Sequence, residues 1–187
     1  MAAELNGVKV AFITSNEGIE QAELAEPWKT VQKAGGTPEL LAREAGQVQA
    51  YNHLDKADRF PVHRRTADAT ADDYDAVVLP GGVANGDQVR TDPAAVELVK
   101  GFFDAGKPVA VICHGGWVLV EAGLVRGRTM TSWPSLETDI RNAGGKWVDE
   151  EVKICTSGPN TLISSRKPAD LPAFDRAIVE HFAKVHA

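Results

Sequence analysis

Two side chains that can do chemistry stand next to each other in this chain, Cys113 and His114. The four apolar residues before them, Val109–Ile112, predict a buried strand, and residues 117–122 predict a short helix. A cysteine at a sharp turn from a strand into a helix is typical of a nucleophile elbow, which aims helix N–H groups at the sulfur. Such surroundings lower a cysteine pKa from about 8.5 to roughly 3.5–7.5. The position alone equally favours a small buried thiol at a strand end.

Other polar groups follow two more predicted strands. Glu17 lies in a loop predicted at residues 16–18, after the strand predicted at residues 8–15, and Gly81 and Gly82 come after the strand at 76–80. Ligands of a doubly wound sheet collect outside the carboxyl ends of its strands, so a carboxyl group, free N–H groups and a thiol are expected to converge. A buried Glu17 would keep its proton, because burial raises a carboxyl pKa, and would donate a hydrogen bond to a thiolate. A solvated loop acid and an ordinary glycine turn are the alternatives.

The elements that must position these groups alternate between strands and helices. A strand, a helix and a second strand open the chain, which predicts a βαβ unit, a parallel sheet and an α/β fold class. We find no linker or repeat, so residues 1–187 are expected to form a single domain. Further strands are predicted at 37–42, 47–51 and 128–132, with a hairpin of 153–156 and 161–165 and a loop at 56–69. Helices are predicted at 24–34, 93–105, 136–143 and 172–185, and Pro27 is expected in the first turn of the first of them.

The composition excludes several classes of protein. The chain has 187 residues, of which 43% are hydrophobic and 25% charged, and its formal net charge of −6 argues against constitutive binding to nucleic acid or to anionic membranes. No run approaches the ~20 apolar residues that span a bilayer. Residues 1–7 lack the features of a secretory signal, so a cytoplasmic location is expected. Because the cytoplasm is reducing, an exposed cysteine is better interpreted as catalytic or redox-sensing than as half of a disulfide.

No metal and no cofactor are expected. The glycine pair lacks the spacing of a dinucleotide-binding loop, and adjacent Cys113 and His114 cannot both take normal ligand positions. The second cysteine, Cys155, lies in an alternating segment and is interpreted as a core or edge thiol. The other histidines, which lack the spacing of metal ligands, are His53, His63, His181 and His186.

The chain resembles the DJ-1/PfpI superfamily, in particular its PfpI-like intracellular peptidase or general stress protein branch. The resemblance spans nearly the whole chain. It rests on residues 110–115 at the elbow and, in the same order as in the family, on residues 15–18, 79–82, 127–128, 131–135, 142–144 and 147–150. It implies a flavodoxin-like sandwich, similar to class I glutamine amidotransferases, with a mostly parallel sheet and helices on both faces.

The resemblance also implies roles for individual residues. Cys113 would be the nucleophile and the redox-sensitive thiol, Glu17 its protonated partner and His114 the adjacent base. Asp87 would reach His114 of a neighbouring subunit, so that a homodimer or higher homo-oligomer completes the site. Backbone N–H groups would hold an oxyanion, the donors being Gly81, Gly82, His114 and Gly115.

Three features depart from related patterns. Gly116 stands where the family often has proline, and Asp87 is one methylene shorter than the glutamate of some relatives. Glutamine amidotransferases need a His-x-Glu pair, which neither His181 nor His186 provides. Amidotransferase activity is therefore not expected.

The leading hypothesis is a stress-response enzyme in which Cys113 attacks small reactive carbonyls, or their adducts on proteins or nucleotides, as in a glyoxalase or deglycase. The second is an intracellular cysteine peptidase. A non-enzymatic alternative is an oxidative-stress sensor, through oxidation of Cys113, or a chaperone. The sequence leaves open whether His114 or Glu17 is the working partner of the thiol.

Overall fold

Short apolar segments form the strands of this α/β protein, and the computed structural model describes them within residues 3–187. Met1 and Ala2, the start of the segment expected to lack a secretory signal, lie outside the described residues. The strands are β1 (Lys9–Ile13), β2 (Glu17–Glu20), β3 (Thr37–Ala42), β4 (Gln47–Asn52), β5 (Asp55–Pro61), β6 (Arg64–Arg65), β7 (Ala76–Leu79), β8 (Val109–Ile112), β9 (Thr129–Met130), β10 (Lys146–Trp147), β11 (Lys153–Cys155) and β12 (Leu162–Ser165). The α-helices are α1 (Gln21–Lys33), α2 (Val83–Val89), α3 (Pro93–Asp104), α4 (Gly116–Glu121), α5 (Glu137–Asn142) and α6 (Leu171–Phe182).

Seven strands pair into one sheet in the order β11-β12-β8-β7-β1-β3-β6. All neighbouring pairs are parallel except β11 with β12, which form the predicted late hairpin. The carboxyl ends of β1, β7 and β8 therefore lie side by side at one edge of the sheet. Smaller sheets join β9 to β10 and β2 to β4 and β5. The predicted fold class is confirmed.

Successive residues of the central strands serve opposite faces of the sheet, because side chains alternate along a strand. Val78 of β7 packs in a core with apolar residues of α1 and α6, whereas its neighbour Val77 packs in a second core with residues of α3, α4 and α5. Both faces are thus covered, which explains why these strands are continuous apolar runs.

Several predictions about elements need correction. Residues 17–18 are not a loop: they begin β2, which pairs with β4 beside the main sheet. Much of the predicted loop at 56–69 is strand β5, and α2 was not predicted at all. Helix α1 begins at Gln21, so that Pro27 lies inside it rather than in its first turn. A proline there removes one helical hydrogen bond to the carbonyl of Glu23.

No helix among residues 3–187 is long and apolar enough to cross a membrane.

Candidate active site at Cys113

Cys113 occupies a strained turn at the carboxyl end of β8. Its φ angle is 60°, in the left-handed region that few residues other than glycine adopt. Such a conformation costs about 1–3 kcal/mol and persists only where its surroundings impose it. The chain passes from this turn through His114 and Gly115 into α4, so the predicted elbow is present. The sulfur lies 3.2 Å from Nδ1 of His114.

The acid beside the thiol is Glu23, in the first turn of α1. Its side chain is fully buried, and neither carboxyl oxygen has a hydrogen-bond partner of normal geometry among the described residues. Gly81 separates it narrowly from the elbow: a Cβ atom on Gly81 would collide with Oε1 of Glu23 and would lie 2.6 Å from Cβ of Cys113. Only glycine leaves room for the carboxyl group and the thiol to meet here.

Burial decides the protonation of this pair. It raises the pKa of Glu23 to about 8, with a further upward contribution from the charge of Glu20, while the Cys113 thiol and the Gly81 N–H act in the opposite direction. The carboxyl group is therefore largely protonated at neutral pH. Burial and the neighbouring Glu23 also raise the pKa of Cys113. The lowered thiol pKa expected from the elbow alone is thus not what this environment produces.

Glu17 does not lie beside the thiol, so its prediction as the partner of Cys113 is corrected. It is exposed at the start of β2, and its Oε1 accepts a 2.6 Å hydrogen bond from the hydroxyl of Tyr51. That hydrogen bond raises the pKa of Tyr51. Pairing of β2 with β4 brings Glu17 next to Tyr51, and both residues line the same pocket as Cys113.

The predicted backbone donors fall into two groups. The N–H groups of Gly82 and His114 act on the sulfur of Cys113 and lower its pKa, against the effect of burial. Gly81 interacts instead with the Glu23 carboxyl group. Gly115 packs below the turn, where a Cβ atom would lie 2.7 Å from the carbonyl oxygen of Leu79. The structure therefore brings two of the four predicted donors to the thiol.

His114 is held between two tryptophans. Its ring stacks on Trp133 at a centroid distance of 5.5 Å and meets Trp117 nearly edge-on at 5.2 Å. Only 5% of the residue is exposed, and burial lowers its pKa to about 4. His114 is therefore neutral at physiological pH and able to accept a proton.

Asp87, the predicted partner of His114 from another subunit, is an exposed residue of α2. It lines the same pocket as His114, but within residues 3–187 no carboxylate oxygen lies within 4 Å of the His114 ring nitrogens. The single chain thus leaves this histidine without an acid to orient it.

Asn85 ties the strand ends around the elbow together. Its Oδ1 accepts hydrogen bonds from the backbone N–H of Ser15 at 2.8 Å and from the Ser15 hydroxyl at 3.1 Å. Its Nδ2 donates to the carbonyl of Pro80 at 2.9 Å. The residue is 1% exposed, so it joins the end of β1 to the turn after β7 through buried hydrogen bonds.

The pocket above Cys113 has a volume of about 660 Å³. Its acidic lining consists of Glu17, Glu20, Glu23 and Asp87, and no lysine or arginine lines it. The three large hydrophobic residues that are exposed in the described chain all stand at this pocket, namely Leu54, Val83 and Trp133. The mouth is therefore acidic and apolar, with the thiol and its donors at the bottom.

Glu23 is absent from the predicted site because the predicted helix begins at residue 24, three residues after the start of α1. With the helix starting at Gln21, Glu23 falls on the buried face together with Leu24, Pro27 and Val31. The spacing of 23, 24, 27 and 31 is that of one helical face, which could have identified a buried acid. Asn85 and the two tryptophans carried no comparable pattern.

The chain matches the model of the DJ-1/PfpI family over residues 8–181. It is 38% identical to Deglycase PH1704 of Pyrococcus horikoshii over 92% of this chain and 98% of that one. It is 34% identical to General stress protein 18 of Bacillus subtilis over 91% of this chain and 95% of that one.

A solved structure shows the same fold. It is that of an Anabaena variabilis protein with a DJ-1/ThiJ/PfpI-like domain and a ferritin-like domain. The superposition has a TM-score of 0.84 and 32% identity, covering 92% of this chain and 47% of that two-domain chain. From its sequence, its sheet and its elbow, the chain belongs to the DJ-1/PfpI family.

Proposed function

We propose that this protein is a cysteine-dependent enzyme of the stress response that acts on small reactive carbonyls or on their adducts, in the manner of a glyoxalase or deglycase. The observation that carries the proposal is the Cys113 thiol, which lies beside a protonated acid and interacts with two backbone N–H groups. The name of the relative PH1704 as a deglycase supports the same chemistry.

The first step is addition of the thiol to an aldehyde such as methylglyoxal. The Cys113 sulfur forms a bond to the carbonyl carbon, and the π electron pair moves to oxygen, where the N–H groups of Gly82 and His114 stabilise the charge. The proton that leaves the thiol passes through Nδ1 of His114, 3.2 Å from the sulfur, to the oxyanion, which becomes the hydroxyl group of a hemithioacetal. Glu23 holds a proton beside the sulfur at neutral pH, and it is able to hydrogen-bond the thiolate as the thiol gives up its own proton.

His114 moves the next proton. Burial keeps the pKa of His114 at about 4, so the imidazole is neutral at physiological pH. Its Nδ1 lies 3.2 Å from the sulfur of Cys113. Transfer of a proton from the aldehyde carbon to the neighbouring carbon turns the hemithioacetal of methylglyoxal into a thioester of lactate. Water then hydrolyses the thioester, which releases the acid and restores the thiol.

The proposal includes a homodimer or higher oligomer in which Asp87 approaches His114 of a second copy. It is supported by the absence of an acid beside His114 within the described chain. It is also supported by two exposed apolar residues at the pocket mouth, Val83, which is 59% exposed, and Leu54, which is 94% exposed. Sedimentation analysis of the wild type tests it, with Val83→Glu and Leu54→Glu as interface variants. A monomeric wild type contradicts this part.

The decisive experiment measures methylglyoxal loss and lactate formation without glutathione. We expect the wild type and Cys155→Ser to react at similar rates and Cys113→Ala to fall to the uncatalysed rate. Equal rates in the wild type and Cys113→Ala overturn the proposal. Hydrolysis of a fluorogenic peptide that needs Cys113, in a protein that leaves methylglyoxal untouched, replaces it with the peptidase hypothesis.

A further inference from the structure

The second cysteine lies away from the pocket, at the end of the edge strand β11, next to a buried arginine. Arg128 is buried, with 3% of the residue exposed, and its guanidinium group lies over the ring of Phe103. Its Nη1 donates to Oδ1 of Asn160 at 2.8 Å. Its Nη2 donates to the carbonyl oxygens of Asn160 at 2.8 Å and of Cys155 at 3.1 Å.

This buried cation has no carboxylate. Within residues 3–187 no aspartate or glutamate oxygen lies within 4 Å of the Arg128 guanidinium, in contrast to the half-buried Arg166, which pairs with Asp149 and Asp170. A buried charge without an opposite charge costs several kcal/mol. Among the groups that Arg128 contacts, the one that is able to become an anion is the thiol of Cys155, whose sulfur lies 3.4 Å from Nε.

The sulfur is surrounded by further donors. The backbone N–H of Thr129 points at it from 3.4 Å, and the hydroxyl of Ser157 lies 3.2 Å away. Burial raises the pKa of Cys155, but the hydrogen bonds from Arg128, Ser157 and Thr129 outweigh burial and bring the pKa to about 7. Cys113 has the opposite surroundings, because burial and the neighbouring acid Glu23 raise its pKa.

We propose that Cys155 and Arg128 form a thiolate–guanidinium pair, and that this pair is a second, peroxide-sensitive modification site, separate from the elbow. The Cys155 thiolate attacks a hydroperoxide oxygen, an S–O bond forms and the O–O bond breaks. Sulfur is oxidised by two electrons to a sulfenic acid, and the peroxide is reduced to an alcohol or water after uptake of a proton. Residues 156–159 beside the sulfur are exposed, and Ser157 among them contacts it, so a small movement of this surface turn admits a small oxidant.

The test uses the Cys113→Ala variant, in which Cys155 is the only cysteine. We expect the pH dependence of its alkylation by iodoacetamide to have a midpoint near 7. Hydrogen peroxide with dimedone should label Cys155 at neutral pH, as located by mass spectrometry. Arg128→Gln in this background should raise the midpoint by about one to three pH units and slow labelling at neutral pH roughly fivefold or more.

Two further variants keep the result interpretable. Arg126→Gln removes the same charge from an exposed position two residues away and should leave the midpoint unchanged. Ser157→Ala removes one donor without disturbing the buried arginine and should raise the midpoint by a smaller amount, which matters if Arg128→Gln does not fold. Three results would each overturn the proposal. They are an alkylation midpoint at or above about 8.5 in the Cys113→Ala protein, an unchanged midpoint in either Arg128→Gln or Ser157→Ala, and absence of a dimedone adduct on Cys155.

Discussion

The carboxyl group of Glu23 meets the thiol of Cys113 at a point where both are buried and where Gly81 leaves just enough space between them. The two acids come from segments ninety residues apart, α1 and the end of β8. Because burial disfavours the charged form of each group, and a charged Glu23 further opposes formation of the thiolate, the carboxyl group retains its proton at neutral pH. The reactivity of the elbow therefore depends on a residue outside it.

The first prediction concerns stability against pH. A carboxyl group whose pKa rises from 4.5 to about 8 on folding stabilises the fold most below 4.5, and this contribution is lost as the pH rises through 8. Across that window the wild type should lose about 1.4 kcal/mol of unfolding free energy per pH unit from this group. Glu23→Gln should abolish that slope, as measured by urea unfolding at several pH values. Glu17→Gln serves as the control and should keep it; parallel curves for wild type and Glu23→Gln would contradict the prediction.

The second prediction separates the two candidate acids at the thiol. In a Cys155→Ser background, Glu23→Gln removes the carboxylate charge that opposes thiolate formation above pH 8, so the pKa of Cys113 should fall by about one unit or more. Glu17→Gln should leave the pKa of Cys113 unchanged, since Glu17 bonds to Tyr51. Iodoacetamide alkylation across pH measures both. An equal shift from Glu17→Gln would restore Glu17 as the partner.

The third prediction concerns the aromatic cover of His114. Trp133→Ala should admit water to the imidazole and raise its pKa from about 4 towards the ordinary value of 6.5, because burial is the cause of the depression. Trp133→Phe keeps a ring over the histidine and should hold the pKa close to that of the wild type. A proton NMR titration of the histidine signals checks both variants, and a pKa that stays near 4 in Trp133→Ala is the contrary result.

The fourth prediction concerns the buried amide. Asn85→Ala leaves the N–H of Ser15 and the carbonyl of Pro80 without partners, so it should cost about 2–3 kcal/mol of unfolding free energy in urea. Asn142→Ala, at an exposed position, should change stability by less than about 0.5 kcal/mol. If the two variants are equally stable, the hydrogen bonds of Asn85 do not hold the strand ends together.

The sequence alone was sufficient to predict the central strands of the sheet and the turn that carries Cys113. Val109–Ile112 and Ala76–Leu79 are short apolar runs, and such runs form the buried central strands of a parallel sheet. The elbow followed from a cysteine placed between a strand and a helix. These features depend on neighbours in the chain, and local patterns therefore determine them.

The tertiary structure decided which acid reaches the thiol and how both groups titrate. Glu17 and Glu23 lie six positions apart, and pairing of β2 with β4 sends the first to Tyr51 while the buried face of α1 carries the second to Cys113. The surroundings of Cys113 come from distant segments: Glu23 of α1 and Gly81 lie beside it, and the backbone N–H of Trp133 donates to its carbonyl oxygen. A pKa reports the whole environment of a group, and segments distant in the chain supply that environment.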